Sequence, residues 1–592
     1  MNWKIKPKAP SNFFKKFPEY SSLIIQLLYN RGIKTQKEVD EFFNSDYYED
    51  IHNPFLLKGM KKAVRRILRA IKKKEKILIY GDFDADGVCS TAILYLTLKR
   101  LGVQRPEIYI PDREKENHGL NEKAIKSFAK NGINLIITVD CGSTDIKEVD
   151  IANALGIDTI ITDHHELRDE IPKAVAIINS LQKRDRYPFK GLAGAGIAFK
   201  LACALLSSCN KKSENGEQEF YKKWLLDLTA IATVADMMPI IGENRTLVKY
   251  GLGVLAQTKW FGLKELMNVS QVDPLVIKPS SNGEAPLTNL DTRVIGFVLG
   301  PRLNAASRMD HANNAFRLLI ANNKKEAQKL AEQINRNNSA RQNLTAKIVK
   351  EAEKRIKEKE KRGENLKLIF EGSAEWPAGI VGLIAGKIAD KYCRPTFIYH
   401  QDSNLIHASC RSALQINLID TLKQGARFFD DYGGHKGAAG FEMKTKNLEK
   451  AKKFFEKIVE KKLEGKELVS SLEVDAELSL NKMNWQTYDE IQKFAPFGRG
   501  NLEPRFLSKE MEITEIRMVG NGNKHLKLNL IMFDSGHKTA KNFKAIAFGL
   551  GARGEHLKKG DLVDVVFEFI INEWNGYREL EMKIIDLKLS GR

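Results

Sequence analysis

Four apolar runs occur at regular intervals in residues 76–165, and their spacing restricts the possible fold classes more than any other feature of the chain. The runs KILIY, EIYI, NLIITVD and DTIITD are separated by helix-like segments. A repeat of about 25 to 30 residues is typical of βαβ units, in which a helix returns the chain to a parallel neighbour. The pattern predicts an α/β domain with a doubly wound parallel sheet, whose ligands bind beyond the carboxyl ends of the strands.

Carboxylates and imidazoles are concentrated where these strands end. The residues concerned are Asp82, Asp84, Asp86, Asp140, His164 and His165. A further acid, Asp236 in TVADMMP, follows an apolar helical run and precedes a proline, so the chain can return it to the same edge. Carboxylates this close repel one another unless cations lie between them, which predicts a metal site.

The residue types also indicate which metal and which chemistry. Oxygen ligands mixed with imidazole suit Mn²⁺ or Mg²⁺ better than a metal that prefers thiolates, and this many carboxylates can hold two ions. Two neighbouring ions can bind both the attacking water and the leaving oxygen of a phosphodiester. The sequence therefore favours metal-dependent hydrolysis of phosphate esters.

Each motif also has a simpler interpretation. DFDADG matches the start of an EF-hand loop, but Ile93 stands where the twelfth-position glutamate is required, and a strand precedes the motif. HHELRD departs from the zinc motif HExxH, because Asp169 replaces the second histidine. The paired histidines are equally compatible with capping or core positions, and GGHKGAAG with a tight turn. Only the placement of the acids and histidines at one sheet edge favours the metal site.

Composition restricts the location and the partners. A formal charge of +20 fits a nucleic-acid partner, with an anionic membrane surface as the alternative. No apolar run reaches the roughly 18 residues of a membrane span, and the N-terminus lacks the apolar core of a signal peptide, so we expect a cytoplasmic protein. The cysteines form no CxxC pair, which argues against zinc ribbons and a disulfide framework.

The remaining chain predicts further domains. Residues 322–364 have helical spacing with few breakers and predict a long helix between two domains. A second α/β segment contains YGGHKGAAGF, and β-rich runs from about residue 471 suit a small barrel. The expected divisions are an N-terminal helical segment (1–70), a first α/β domain (71–320), the linking helix (321–364), a second α/β domain (365–465) and the barrel (471–592).

These motifs together carry a family resemblance. DFDADG, VDCGS, TDHHE and VADMMP, in this order, resemble the motifs of the DHH phosphoesterase superfamily, and GGHKGAAGF resembles the DHH-associated domain. YPFKGLAGAGIAFKL, GPRLNAASRM and FAPFGRGNLEPRF are similar to segments of the RecJ family, so the likeness covers most of the chain. The resemblance implies a two-domain catalytic core, an oligonucleotide-binding (OB) barrel, and 5′→3′ exonuclease action on single-stranded DNA with Mn²⁺ or Mg²⁺ in recombination and repair.

The resemblance also implies residue roles. The implied metal ligands are Asp82, Asp84, Asp140, His164 and Asp236, with Asp86 and His165 binding an ion or supporting a ligand. The implied catalytic residues are Asp84, Asp140, His164, His165, Asp236 and His435, the last donating to the scissile phosphate from the loop of Gly433 and Gly434. The implied contacts to the 5′ end and backbone of the strand are Arg113, Arg302, Arg308, Ser409 and Arg411, with structural salt bridges as the alternative role for the arginines.

Two departures and two alternative functions stay open. Pro377 stands where the family usually has a histidine, and His118 lies near a usual tyrosine, so details of strand contact differ. A DHH enzyme for small nucleotides is disfavoured by the barrel and the charge, and a non-catalytic scaffold by the intact acids. The favoured interpretation is a monomer whose partners are single-stranded DNA, a helicase and a single-stranded-DNA-binding protein.

Overall fold

The structure is a computed structural model, and it divides into two compact units. It describes the chain except for residues 117, 210–214, 279–284, 365, 413–415, 466–470, 480–481, 533–540, 575–576 and 592. The larger unit is Asp46–Leu468. The smaller unit combines Met1–Ser45 with Val469–Arg592, so the two ends of the chain fold together.

The larger unit contains a five-stranded parallel sheet. In spatial order the strands are Glu107–Tyr109, Ile77–Tyr80, Leu135–Val139, Asp158–Thr162 and Ala176–Ile178. All four strands expected from the apolar runs are present, and the α/β fold class is confirmed. The fifth strand was not predicted, because its three residues are too short to stand out as a separate run.

Helices cover both faces of this sheet, which explains why its strands are apolar throughout. Leu78 and Ile136 pack on one face against Phe128, while Ile79 and Ile137 pack on the other. The helices are Tyr47–Asp50, Met60–Lys73, Ala85–Arg100, Glu122–Lys130, Ile146–Ala154, Gly194–Ser208, Asn215–Trp224, Leu226–Ala235, Gly242–Ala256, Phe261–Val269, Gly300–Met309 and Asn313–Leu319, with a 3₁₀ turn at Pro54–Leu56, a π-helical segment at Val294–Leu299 and a short hairpin of Val276–Lys278 and Leu287–Thr288.

A single helix, Lys324–Lys361, connects the first α/β domain to the second. It begins at Asn323, whose side chain accepts a hydrogen bond from the Glu326 backbone. Leu330 and Ile334 in its first half join the core of the first domain, whereas Ile348 and Ile356 in its second half join a core of the second. Like every other helix in the described part of the chain, it is not long and apolar enough to cross a membrane.

The second α/β domain is a five-stranded mixed sheet with helices on both faces. In spatial order its strands are Asp431–Gly434, Ala438–Lys444, Leu405–Arg411, Thr396–Gln401 and Ile369–Ser373, of which only the last pair is parallel. Its helices are Ala378–Tyr392, Leu418–Gln424 and Leu448–Leu463, with 3₁₀ turns at Ala426–Phe428 and Thr445–Asn447. Along the central strand Ile406, Ala408 and Cys410 enter one core, so the alternate residues Ser409 and Arg411 face the side of Ala378–Tyr392.

The smaller unit contains the expected β-barrel. Its strands are Ser471–Val474, Ala476–Glu477, Phe506–Val519, His525–Met532, Lys541–Ala547, Leu562–Trp574 and Tyr577–Leu589, with a helix at Trp485–Gln492 and a 3₁₀ segment at Gly551–His556. Pairing of Phe506–Val519 with both His525–Met532 and Leu562–Trp574 closes the sheet on itself. Closure leaves the five long strands without free edges.

Residues 1–70 do not form one segment, in contrast to the division expected from the sequence. The strand Asn2–Ile5 pairs with Ser471–Val474, and the helices Ser11–Phe14, Ser22–Asn30 and Gln36–Phe43 belong to the smaller unit. Phe13, Leu27 and Leu28 share a core with the barrel residues Phe506 and Phe567. The helices up to residue 45 are thus held by apolar contacts to a part of the chain more than 450 residues away, which local sequence patterns do not reveal.

This division predicts how fragments behave. We expect residues 46–468 to fold and melt cooperatively, because they form a complete unit. A fragment of residues 1–468 keeps the first helices without the barrel, so Phe13, Leu27 and Leu28 are exposed, each at a cost of about 1.5 to 3 kcal/mol. The fragment of residues 1–468 should bind the dye ANS more strongly than the fragment of residues 46–468, and it should aggregate in sedimentation experiments. Equal ANS binding by the two fragments would contradict the division.

Candidate metal centre and active site

The carboxyl ends of three neighbouring strands bring the predicted ligands together. Asp82 and Asp84 follow Ile77–Tyr80, Asp140 follows Leu135–Val139, and His164 and His165 follow Asp158–Thr162. Ligand atoms lie within 4.8 Å of one another in three overlapping groups: Asp82, Asp84 and Asp140; Asp140, His164 and His165; and Asp86, His164 and Asp236. The structure therefore brings all seven predicted ligands to one edge of the sheet.

Asp84 serves the fold as well as the site. Its Oδ1 atom accepts hydrogen bonds from the backbone of Asp86 and Gly87 and so caps the helix Ala85–Arg100. Burial, followed by the charges of Asp82 and Asp86, raises the pKa of Asp84 to about 6. A bound cation would counter this shift, because it offsets the repulsion among the three carboxylates.

Asp140 is the most constrained of the acids. Its backbone has φ 62°, in the left-handed region that an aspartate rarely adopts. Its Oδ1 atom is buried without a hydrogen-bond partner, and His164 Nε2 lies 3.1 Å away in an orientation that forms no hydrogen bond. Burial, together with Asp86 and Asp84, raises the pKa of Asp140 well above its usual range. An oxygen in this position is suited to a metal ion.

The paired histidines are oriented by Asp163. Its Oδ1 atom lies 2.8 Å from His165 Nδ1 and accepts from the backbone N–H of His164, while its Oδ2 accepts from that of Ser143. Although burial favours the neutral acid, the hydrogen bond and charge of His165 hold the pKa of Asp163 well below its usual range. With Nδ1 engaged, Nε2 of His165 is left to bind a metal. The sequence interpretation missed this role, although Asp163 directly precedes both histidines.

Asp86 and Asp236 reach the cluster from helix ends. Asp86 accepts hydrogen bonds from Gly194 and Ala195 at the N-terminus of Gly194–Ser208, at 2.7 and 2.6 Å. Asp236 follows the last residue of Leu226–Ala235. One oxygen of each lies 3.7 Å from His164 Nε2. The backbone contacts of Asp86 fix a second helix against the site.

The residues present fit divalent cations. Five carboxylates and two imidazoles supply mostly oxygen ligands, and Asp140 belongs to two of the three groups. Burial and then the neighbouring acids raise the pKa values of Asp84 and Asp140, and a cation would favour the ionised form of both. His118 was noted above as a departure from the family pattern. Its Nδ1 atom lies 3.0 Å from Asp82 Oδ1. Burial opposes its charge, but Asp82 outweighs burial and raises the pKa of His118 to about 9.

Five arginines of the larger unit have no acidic partner among the described residues, and two of them, Arg113 and Arg308, are close enough to Asp84 for its charge to act on them. The five are Arg113, Arg302, Arg308, Arg341 and Arg411, and none forms an ion pair with another described residue. Burial lowers the pKa of each, and Arg113 and Arg341 lower that of Arg308 further, to about 9. The Nε atoms of Arg308 and Arg341 are buried without hydrogen-bond partners. The salt-bridge alternative for these arginines has no support in the described structure.

Arg341 was not predicted from the sequence. It lies in a polar stretch of the linking helix. The same stretch contains Asn335, whose Oδ1 accepts a hydrogen bond from Arg302 Nε at 3.0 Å. Asn337 and Asn338 on the same helix have buried side-chain atoms without partners. The sequence pattern that could have indicated Arg341 is NRNNSARQN, a polar run in a helix that is otherwise amphipathic.

The second domain contributes Ser409 and Arg411. Arg411 donates to Ser409 Oγ at 3.0 Å, and Arg308 donates to the carbonyl oxygen of Gly379. A side chain at Gly382 would lie 3.1 Å from Ser409 Oγ and 3.3 Å from Arg411, so this glycine allows the helix Ala378–Tyr392 to approach them. Pro377 directly precedes that helix.

His435 belongs to the second α/β domain. It is exposed in the connection between Asp431–Gly434 and Ala438–Lys444, and its backbone N–H donates to Ala438. Gly434 has φ 130° and a side chain there would lie 2.4 Å from Ala439, whereas Gly433 has open space around it. No hydrogen bond or ion pair between described residues joins His435 to the metal ligands.

Gly194→Ala tests the arrangement of the site. The new Cβ would lie 2.5 Å from Asp140 Oδ1 and would also disturb the backbone donor to Asp86. We expect Mn²⁺ affinity, measured by isothermal titration calorimetry, to fall about 10- to 100-fold while circular dichroism stays unchanged. Gly386→Ala is the matched control, since a Cβ there meets nothing within 4 Å. Unchanged affinity in Gly194→Ala would contradict the assignment of Asp140.

Comparison with known proteins identifies the families that this chain resembles. The chain matches three family models: the DHH family N-terminal domain over residues 76–233, the DHHA1 domain over 365–461, and the RecJ OB domain over 474–586. It is 34% identical to the single-stranded-DNA-specific exonuclease RecJ of Bacillus subtilis, covering 100% of this chain and 71% of that protein.

Solved structures show the same relationship. The crystal structure of Thermus thermophilus RecJ in complex with Mn²⁺ has a TM-score of 0.81 and 26% identity, over 100% of this chain and 80% of that one. The Mg²⁺ complex of the same protein has a TM-score of 0.74 and 25% identity, over 100% and 79%. The chain therefore belongs to the RecJ family of single-stranded-DNA-specific exonucleases.

Proposed function

We propose that this chain removes nucleotides from the 5′ end of single-stranded DNA by two-metal-ion hydrolysis of phosphodiester bonds, in DNA recombination and repair. The observation that carries the proposal is the proximity of a carboxylate cluster to arginines that have no ion-pair partner. Seven candidate metal ligands lie at one sheet edge, and the charge of Asp84 reaches Arg113 and Arg308 of the unpaired arginine set. Metal ions and a phosphate chain together would neutralise both clusters.

The donor set suits Mn²⁺ or Mg²⁺, and both ions occur in complexes of the Thermus relative. When bound, two such ions would activate a water and stabilise the leaving oxygen. Asp82, Asp84 and Asp140 would hold one ion, and His164 with Asp236 the other, with Asp140 shared. Asp163 orients His165, and Asp86 fixes the helix Gly194–Ser208 against the site.

The arginines would hold the end of the strand. A terminal phosphate carries more charge than an internal one, and arginine forks bind such groups through two parallel hydrogen bonds. Arg308, Arg341 and Arg411 suit this task, because burial lowers their pKa values and no described acid forms an ion pair with them, so an anion would stabilise their charges. His435 in its glycine-flanked turn would donate to the scissile phosphate once the strand is bound.

The smaller unit would grip the rest of the strand. Its barrel matches the RecJ OB domain, and barrels of this class bind single strands through stacking and phosphate contacts that tolerate any sequence. The net charge of +20 supports such a partner. We further place the enzyme in the cytoplasm as a monomer that works with a helicase and a single-stranded-DNA-binding protein.

Digestion of end-labelled DNA tests the proposal. With Mn²⁺ or Mg²⁺, a 5′-labelled single strand should release labelled mononucleotide at once, whereas a 3′ label should stay on shortening fragments. EDTA should stop both reactions, and a blunt duplex should resist. Asp140→Asn should lose at least about 10²-fold in rate while still binding the strand. Release of the 3′ label first, or equal cleavage of a dinucleotide and a long strand, would refute the proposed substrate and polarity.

Arg341→Ala tests the contribution of the linking helix. Loss of one charge-assisted phosphate contact should weaken binding of a 5′-phosphorylated strand about 10-fold or more and should reduce the salt dependence by about one phosphate. Arg336→Ala is the matched control, an exposed arginine on the same helix. Fluorescence anisotropy over a salt series in Ca²⁺, without turnover, measures both quantities. Equal losses in the two variants would show that Arg341 acts only through general charge.

A further inference from the structure

The helix Met60–Lys73 of the larger unit presents a positively charged face to solvent. Residues 60–76 contain nine lysines and arginines and one acid, so they account for +8 of the chain's net charge of +20. Met60, Val64 and Ile67 on the opposite side of the helix are buried in the core of the first α/β domain. The exposed basic residues of this helix, called the basic face below, are Lys61, Lys62, Arg65, Arg69, Lys72 and Lys73.

No acid of the described chain compensates the basic face. None of its six residues forms an ion pair with a described residue, although Arg66 on the same helix pairs with Glu75 and Asp158. Those two acids are therefore already engaged by a residue that the basic face does not include. Protein surfaces generally mix charges of both signs, so a helix face of one sign is a specific feature of this domain.

Repulsion makes the basic face unfavourable for the protein alone. Like charges four residues apart, such as Lys61 and Arg65, repel one another on a helix surface. Lys61 and Lys62 also lie in the first turn, which contains no acid, where the helix dipole disfavours positive charge. The dipole favours only Lys72 and Lys73 in the last turn. An anion bound along the basic face would offset this repulsion.

The residues of the helix indicate which polyanion fits. A membrane-binding helix inserts its apolar side, but here that side is buried in the domain core and no apolar residue of this fully described helix is exposed. Proteins grip single strands by stacking bases on aromatic rings, and the helix has no aromatic residue. Duplex DNA presents its phosphates outward, with one charge per about 1.7 Å of its axis. A 14-residue helix, about 21 Å long, would therefore lie beside about 12 such charges.

The helix runs away from the edge of the sheet that holds the metal ligands. A Cβ at Gly59 would lie 2.3 Å from the carbonyl oxygen of Ile177, so the helix begins close to the carboxyl end of the strand Ala176–Ile178. That strand is the parallel neighbour of Asp158–Thr162, which precedes the paired histidines. After the helix the chain enters the strand Ile77–Tyr80, so the helix ends at the opposite edge of the sheet.

We propose that the basic face binds the phosphate backbone of double-stranded DNA, outside the catalytic site. Exposed Arg184 and Arg186 extend this surface at the start of the helix, where Lys58 Nζ donates to the carbonyl oxygen of Lys183. The inference deepens the proposed function and rests on it for its role, because the bound duplex would be the part of a partly single-stranded substrate that is not being cleaved. Duplex binding itself requires neither metal ions nor cleavage.

Binding of a short blunt DNA duplex to the full-length protein tests the inference. Fluorescence anisotropy is measured in EDTA over a salt series, for the unchanged protein and for the triple variant Lys61→Gln, Arg65→Gln, Arg69→Gln. We expect the variant to bind at least about 10-fold more weakly at about 0.1 M salt, because three phosphate contacts are lost. The slope of log affinity against log salt should fall by about 2.7, which is about 0.9 per contact. The melting temperature should stay equal or rise, because like charges are removed.

A second triple variant controls for net charge. Lys450→Gln, Lys453→Gln and Lys457→Gln remove the same charge from exposed positions of the helix Leu448–Leu463, where glutamates alternate with lysines, and should change duplex affinity less than about 2-fold. Both triple variants should cleave a short single strand with Mn²⁺ as the unchanged protein does. If the unchanged protein fails to cleave but duplex binding follows this pattern, the proposed function is wrong and this inference stands.

Two results would overturn the inference. One is equal weakening of duplex binding in the two triple variants, which would assign the effect to net charge alone. The other is unchanged duplex binding by the variant of the basic face. Titration with phosphatidylserine vesicles and with poly-glutamate then shows whether the basic face binds a membrane or an acidic protein instead.

Discussion

Repulsion between buried like charges is the constraint on which the larger unit depends. At the sheet edge, burial and neighbouring acids raise the pKa values of Asp84 and Asp140. Nearby, burial and the charges of Arg113 and Arg341 lower the pKa of Arg308. Neither group is stabilised by folding, so the surrounding apolar cores must hold both in place. Such preorganised charge is typical of sites that bind ions and stabilise charged transition states.

Rigid elements rather than loops supply that support. Asp84 caps one helix, Asp86 accepts from the N-terminus of another, and Asp140 follows a strand buried on both faces. The helix Lys324–Lys361 joins two cores and carries Arg341 between them. Because the two halves of this helix are fixed by packing on different domains, its arginine has a defined position relative to both.

Local sequence patterns predicted the contacts that follow from the order of strands in one sheet, and they missed contacts between distant parts of the chain. Strand ends of a parallel sheet meet at one edge, so the proximity of Asp82, Asp140 and His164 could be predicted from local patterns alone. Residues 1–45 were misassigned because their partners are apolar residues of the barrel, far away in the chain. The register of Thr396–Gln401 against Leu405–Arg411 also escaped prediction, since strand register across a turn is not visible in the order of residues.

The two charge clusters are also coupled to each other. Asp84 is one of the charges that favour the ionised forms of Arg113 and Arg308, so it partly compensates arginines that are otherwise unpaired. A metal ion bound at Asp84 withdraws that compensation and makes the potential at the arginines more positive. A phosphate placed there is then held more tightly than in the metal-free protein. By linkage, the phosphate must raise the affinity for the ion by the same factor. On the proposed function, we therefore expect metal and strand to bind cooperatively, although they would contact different residues, because each removes the charge that opposes the other.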